Sequence, residues 1–497
     1  LIFVIPLHPM EGSVWLFLLA LVILSTLFLK IFILHHLPPG NSSFLTLGNL
    51  QLLRMPLVGV GPYIRSLHRK HGPIVSLRFG TRLAIFISDR SIAHEALIQK
   101  GAIFADRPPP LATSRIFSSN QHSINSASYG ANWKTLRRNL TSEILHHSRV
   151  KSFSATRKNA LNVLVDRLQQ SATPVRVVDH INYAMFYLLS TMCFGDLSEK
   201  EVEKIARVEK QMLANAFRFS TLNIFPRLTR VFRRKKWEEL LDIRREQEEV
   251  IIPIIRARRN DIRERNTYVD SLFDLELPEE NRKLNESEIL TLCNEFLNAG
   301  TDTTSTALQW ILANLVKHPR IQEKVYEEIK EALEDNRDAI EEEDLGKMKY
   351  LKAVVLEGLR RHPPGHFVLP HAVTEEVVLG GYLVPKKGSV NFMVADIGWD
   401  SAVWENAMEF VPERFMGEEE VDITGRKEIK MMPFGVGRRM CPGYNLALLH
   451  LEYFVANLIW RFQWKEVEAV GVDLTEEPEF TVVMKNPLLV DLGIRAG

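Results

Sequence analysis

Phe434-Gly435-Val436-Gly437-Arg438-Arg439-Met440-Cys441-Pro442-Gly443 is the stretch that decides the fold, and it runs directly into the helical pattern Tyr444–Trp460. Glycines at 435 and 437 permit a tight, bulged turn that no β-branched residue would accept. Cys441 stands just before a helix N-terminus, where the dipole and free backbone N–H groups favour a thiolate. Gly443 lets the helix backbone come close to something flat and bulky, and Arg439 supplies a fixed cation two residues from the sulfur. One thiolate with a neighbouring guanidinium suits the axial ligand of haem iron. A zinc site needs further Cys or His close by, and this segment has none. Cys193 and Cys293 lie in apolar helical segments and read as core residues.

Working outward, most of the chain has helical period. Arg149–Gln170, Lys236–Arg265, Ser287–Lys317 and Met348–Arg361 carry apolar residues at three- and four-residue spacing. The third would be about 46 Å long if unbroken, enough to cross a whole domain; a capping residue precedes it and Pro319 follows it. Ile74–Phe79 and Leu83–Ser88 alternate as a hairpin, and strand-like pieces return at Val377–Val384 and Phe480–Met484. No repeat or low-complexity linker divides the chain after residue 40. The expectation is a mainly α body with minor β, one undivided unit over residues 37–497.

The averages are those of a globular protein: 497 residues, 46% hydrophobic, 62 Lys+Arg against 61 Asp+Glu. A net charge of +1 gives no footprint for nucleic acid. Three cysteines in this length point to a reducing compartment. The asymmetry is N-terminal. Gly12–Leu29 holds no charge, and Ser13–Leu34 can span about 30 Å of hydrocarbon, so residues 10–36 read as a single transmembrane signal anchor. Residues 1–9, ahead of the first methionine, read as an upstream extension absent from the mature protein. Between Ile31 and Ser88 there is no acid, while Arg54, Arg65, Arg69, Lys70, Arg78 and Arg82 are all basic, which keeps the body on the cytosolic side and against the lipid bilayer. Pro38-Pro39-Gly40 makes a stiff turn between the two parts.

The run Phe434–Gly443 resembles the haem-binding signature of the cytochrome P-450 monooxygenases, F-x-x-G-x-R-x-C-x-G. Ala299-Gly300-Thr301-Asp302-Thr303-Thr304 is similar to the family's oxygen-activation motif, Glu357-Gly358-Leu359-Arg360 to its E-x-x-R motif, and Pro412-Glu413-Arg414-Phe415 to its P-E-R-F motif. Local wording such as NEFLNAGTDTTSTALQW is most similar to plant family 89, with family 77 the near neighbour. The resemblance implies the cytochrome P-450 fold, haem b as cofactor, and Cys441 as the metal ligand. It further implies an endoplasmic-reticulum enzyme that inserts one atom of O2 into a lipophilic small-molecule substrate.

The same resemblance assigns roles. Asp302 and Thr303 become the acid and alcohol that relay protons. Gly300, with hydroxyls bonding back to carbonyls, would loosen the helix over the iron. Ala299, Gly300, Phe434, Gly437, Arg439 and Gly443 would contact the haem, and Trp133, Arg137 and His371 would face its propionates. Glu357 and Arg360 share one side of a helix at i,i+3, a pair that burial makes costly unless further partners complete it; Arg414 resembles the third member. Pocket-lining segments would lie at Arg107–Asn125, Glu295–Ala299, His366–Leu369 and Phe480–Val483, with Phe117, Phe296, Val368 and Val482 making an apolar cavity. No G-x-G-x-x-G follows a strand, so electrons must come from a separate NADPH-cytochrome P-450 reductase. Two rivals stay open: a haem-thiolate isomerase or dehydratase acting on a hydroperoxide, and a catalytically inactive haem-binding membrane protein.

Overall fold

Asn285 opens the longest helix of the computed structural model. Its side chain accepts the Glu288 N–H at 3.0 Å, while the Glu288 carboxylate takes the Asn285 N–H at 2.9 Å. From this capping box the helix runs for 32 residues, Glu286–Lys317, and every residue from Thr304 to Val316 is buried. A helix buried on all sides must be surrounded by other elements, and this one is. Pro319 then starts the next helix in its first turn, where the missing N–H costs nothing.

The structure describes residues 17, 19–21, 36–41, 57–79, 82–215, 217–223, 225–261, 266–333, 339–417 and 421–495. In chain order the longer helices are α1 (Leu57–His71), α2 (Ala131–Glu143), α3 (Ser154–Gln169), α4 (Val177–Phe194), α5 (Glu199–Ala214), α6 (Arg234–Asn260), α7 (Glu286–Lys317), α8 (Pro319–Ala332), α9 (Lys349–Arg361) and α10 (Tyr444–Arg461). α4 and α10 pack directly on α7, as do α6, α8 and α9. A five-stranded sheet stands beside this bundle, made of β1 (Gly40–Asn41), β2 (Ile74–Phe79), β3 (Arg82–Ile87), β4 (His371–Ala372) and β5 (Ser389–Phe392) in the order β1-β2-β3-β5-β4. β2 and β3 form the expected hairpin in the register Ile74↔Ile87 to Phe79↔Arg82, and β5 runs parallel to β3 with Phe392 opposite Ile87. A smaller hairpin joins β6 (Glu476–Pro478) to β7 (Val482–Met484).

Two expectations are adjusted and one helix is new. The helix read over 149–170 is broken at Phe153 into His147–Ser152 and α3, because buried Arg157 reaches back to take the Val150 carbonyl at 2.7 Å. The segment 377–384 is a hairpin, Val377–Leu379 with Tyr382–Val384, turned by Gly380 and Gly381 at φ +55° and +85°. α4 is apolar almost throughout and buried on most faces, so it offered no period to read. Among the described residues no helix is long and apolar enough to cross a membrane. The anchor expected at 10–36 falls almost wholly outside the described residues, as do residues 1–9.

Candidate active site

The turn before α10 is built by its glycines. Gly435 and Gly437 adopt φ +64° and +76°, and a Cβ on Gly437 would collide with the Leu97 carbonyl oxygen. The Cys441 N–H donates to the Phe434 carbonyl at 2.9 Å and closes the loop; the Phe434 ring rests 6.2 Å from that of Tyr444. Gly443 caps α10, and the place its Cβ would take is open space. Burial pushes the Cys441 thiol up, while the Gly443 N–H and the Arg137 charge pull it down. Metal binding would displace the proton.

Cys441 is nevertheless incompletely covered by protein atoms. The same holds on α7, the helix packed on α10: Glu295, Ala299 and Thr303, four residues apart on one face, are half-covered or exposed where α7 runs through the core. The cysteine and this face of α7 are thus both incompletely covered, at two helices that pack against each other.

One edge of the site is strongly cationic. Arg137 donates to the Met440 carbonyl at 2.6 Å, beside the cysteine. Arg439 donates to the carbonyls of Ala105 (2.7 Å), Ile124 (3.2 Å) and Ala127 (2.6 Å), and lies 4.3 Å over the Trp133 ring. Each of its terminal nitrogens keeps a second N–H. Arg107 donates to Asn125, Leu369 and Pro370 carbonyls at 2.7–2.9 Å. Burial lowers Arg439 to about 9 and Arg107 to about 10. Around Arg439 three guanidiniums face two carboxylates, Asp106 and Glu295, so an anion is wanted. Haem b, with two propionates and one open axial position, fits this donor set. Among the described residues no cluster of three His, Cys, Asp or Glu offers a different metal site.

Two residues expected from the resemblance to face the propionates each hold a backbone carbonyl as well. The Trp133 indole N–H is given to the Ile124 carbonyl at 3.1 Å, leaving none for a propionate. His371 Nδ1 sits 2.6 Å from the Phe104 carbonyl and so carries the proton; burial lowers its pKa to about 3. Among the described residues its Nε2 has no hydrogen-bond partner.

The acid and alcohol are adjacent on α7. Thr303 Oγ1 donates to the Ala299 carbonyl at 2.6 Å, the back-bond expected, yet the helix stays α-helical throughout. Gly300 does not open a groove. A Cβ there would lie 2.6 Å from Leu189 of α4, so the glycine admits a neighbouring helix. Asp302 accepts the Thr481 hydroxyl at 2.8 Å, and burial raises its carboxyl.

The ion triad is assembled as read. Arg360 meets Glu357 at 2.7 and 2.8 Å, Arg414 reaches the same carboxylate at 3.4 Å, and Arg360 spends its other N–H groups on the carbonyls of Gly398, Ala407 and Glu409. The four pocket residues are each placed by contacts of their own. Val368 abuts Gly435 of the cysteine loop. Phe296 is packed on Tyr268, Val482 is held through Trp310 and Pro364, and Phe117 joins a separate cluster with Phe219 and Trp237. Exposed Leu369 and the Arg107–Glu295 pair went unread as individuals. A lone acid in an apolar helix and a lone Arg in an apolar loop were the available signals.

The sequence profile of the family described as Cytochrome P450 matches residues 38–492. Cytochrome P450 89A9 of Arabidopsis thaliana is 48% identical over 97% of this chain and 99% of its own. Isoflavone 3'-hydroxylase of Medicago truncatula is 31% identical, covering 92% of each. A solved zebrafish cytochrome P450 with progesterone superposes at a TM-score of 0.74 with 23% identity, over 87% of this chain and 99% of that one.

Proposed function

The chain belongs to the cytochrome P450 family, within the plant type of family 89, and on that premise we propose that Cys441 is the thiolate ligand of its haem and that the body works at a membrane surface. The protein is a monooxygenase, and its prosthetic group is haem b. When bound, the thiolate-ligated haem supplies activation of O2 and insertion of one oxygen atom into the substrate, the other leaving as water. The observation that carries the assignment is the half-buried Cys441 in its glycine-built loop, just before a helix packed against the partly covered face of α7.

The chain's own residues divide the remaining work. Gly437 and the Cys441–Phe434 bond hold the sulfur in place, and Arg137 steadies its negative charge. Arg439 and Arg107 orient the propionate edge. Thr303 holds a proton at Oγ1 beside the open face, and Asp302, kept by Thr481, replenishes it. Ala299, Val368 and Leu369 offer an apolar wall, which supports a lipophilic small molecule as substrate, as does the isoflavone-hydroxylating relative. Electrons come from a separate NADPH-cytochrome P-450 reductase.

Residues 37–497 form the haem domain and 10–36 the endoplasmic-reticulum anchor. The lipid reading is supported by Phe225, Leu228, Val231 and Phe232, between 55% and 82% exposed and interleaved with Arg227, Arg230, Arg233 and Arg234. The test is the ferrous–CO spectrum of full-length protein, expected to show the red-shifted thiolate Soret band and to lose it in Cys441→Ser. A normal band in that variant would overturn the assignment. With reductase and substrate, Thr303→Ala is expected to divert NADPH electrons to peroxide.

A further inference from the structure

Glu295 lies on the uncovered face of α7, in a segment where a substrate contact would be the natural reading. Its carboxylate is already committed. Oε2 accepts the Ile124 N–H at 2.7 Å and Oε1 the Asn125 N–H at 2.6 Å. Those two peptide units carry the rest of the cationic edge. The Ile124 carbonyl takes both the Trp133 indole at 3.1 Å and Arg439 at 3.2 Å, and the Asn125 carbonyl takes Arg107 at 2.7 Å. Arg439 in turn is two residues from Cys441 and stacks on Trp133. One carboxylate of the central helix therefore fixes the turn from which both guanidiniums hang.

The geometry points to Glu295 as the positioning residue of the haem edge: through the Ile124–Asn125 turn it sets Arg107 and Arg439 and couples α7 to the cysteine loop. This rests on the haem-thiolate reading above. Glu295 also supplies part of the counter-charge for the guanidiniums near Arg439. Both oxygens are engaged by short bonds from backbone donors, so the carboxylate is fixed on the loop whatever its remaining lone pairs meet. Two strong charge-assisted bonds to a loop are an expensive arrangement to keep unless the loop's position matters.

Full-length wild type, Glu295→Gln and Glu295→Asp are compared by the rate of haem transfer to excess apomyoglobin and by reduction potential, both without substrate. Glutamine offers one acceptor and turns an NH2 toward a second N–H, so release is expected to speed up about tenfold. Aspartate keeps the charge but is a methylene short and is expected to fall between the two. Burial places Glu295 near 7, so wild-type release should accelerate as pH falls through that value and Glu295→Gln should be flat. A purely architectural side chain would not create that inflection. Wild-type release rates and potential in Glu295→Gln, with only substrate KM altered, would overturn the proposal and make Glu295 a substrate contact. If Glu295→Gln fails to fold, Glu295→Asp decides, and wild-type release rate and potential in that variant refute the proposal. Absence of the thiolate CO band from wild type would instead refute the haem-thiolate reading, so the two failures are told apart.

Discussion

Glu357 and Arg360, one turn apart on α9, meet through two bonds of 2.7 and 2.8 Å with neither side chain exposed to solvent. The pair is affordable because its remaining valences are filled: Val411 N–H and Arg414 complete the carboxylate, and three carbonyls complete the guanidinium. It anchors the 398–414 segment to α9, behind the cysteine loop.

Replacing Arg360 by methionine leaves buried Glu357 with only the Val411 N–H and the 3.4 Å contact to Arg414, which is expected to cost about 3–5 kcal/mol. Thermal melts of wild type and Arg360→Met check this, and the variant is expected to retain little haem. Arg360→Lys should rescue poorly, since an ammonium cannot reproduce the fork that serves one carboxylate and three carbonyls.

Gly300→Ala tests whether that glycine serves oxygen or packing. The new Cβ would lie 2.6 Å from the Leu189 side chain, so a loss of about 1–3 kcal/mol is expected. Adding Leu189→Ala should recover part of it, with a coupling above about 0.5 kcal/mol in a denaturant double-mutant cycle. Additive effects would return Gly300 to the haem pocket.

Stability should be nearly level with pH in mild acid because two sets of groups oppose one another. Burial lowers His362 to about 4 and His371 and His450 to about 3, so the unfolded chain takes their protons first and stability falls as pH drops below 6.5. Burial raises Glu209, Glu295 and Glu452 to about 7, so their contribution is full below 4.5 and is lost as pH rises to 7. His450→Phe should gain on wild type as pH falls below 6.5, and Glu209→Gln should gain as pH rises from 4.5 to 7. Urea midpoints across this window read the slopes, which do not depend on each variant's baseline.

Phe232 is 82% exposed beside a basic run. Phe232→Trp should show a blue-shifted difference emission, quenched by brominated lipid, when full-length protein is placed in anionic vesicles. An emission typical of water would remove this face from the membrane contact.

Much of this protein is written in local sequence. The loop at 434–443, the capped α7 and the i,i+3 pair Glu357–Arg360 are short-range features, whose chemistry follows from residue type and spacing over a few positions. They carried the fold class, the family and the metal ligand. What local sequence could not decide was which partner fills each valence. Gly300 reads as empty space until Leu189, over a hundred residues earlier, occupies it. His371 reads only as a residue facing a propionate, and the fold alone shows the Phe104 carbonyl holding its Nδ1–H. Glu295 reads as a pocket residue until the Ile124–Asn125 turn folds over both its oxygens. Periodicity and motif describe one strand of chain, whereas desolvation and hydrogen-bond satisfaction are properties of the contacts it makes with distant ones, and only the tertiary structure brings those together.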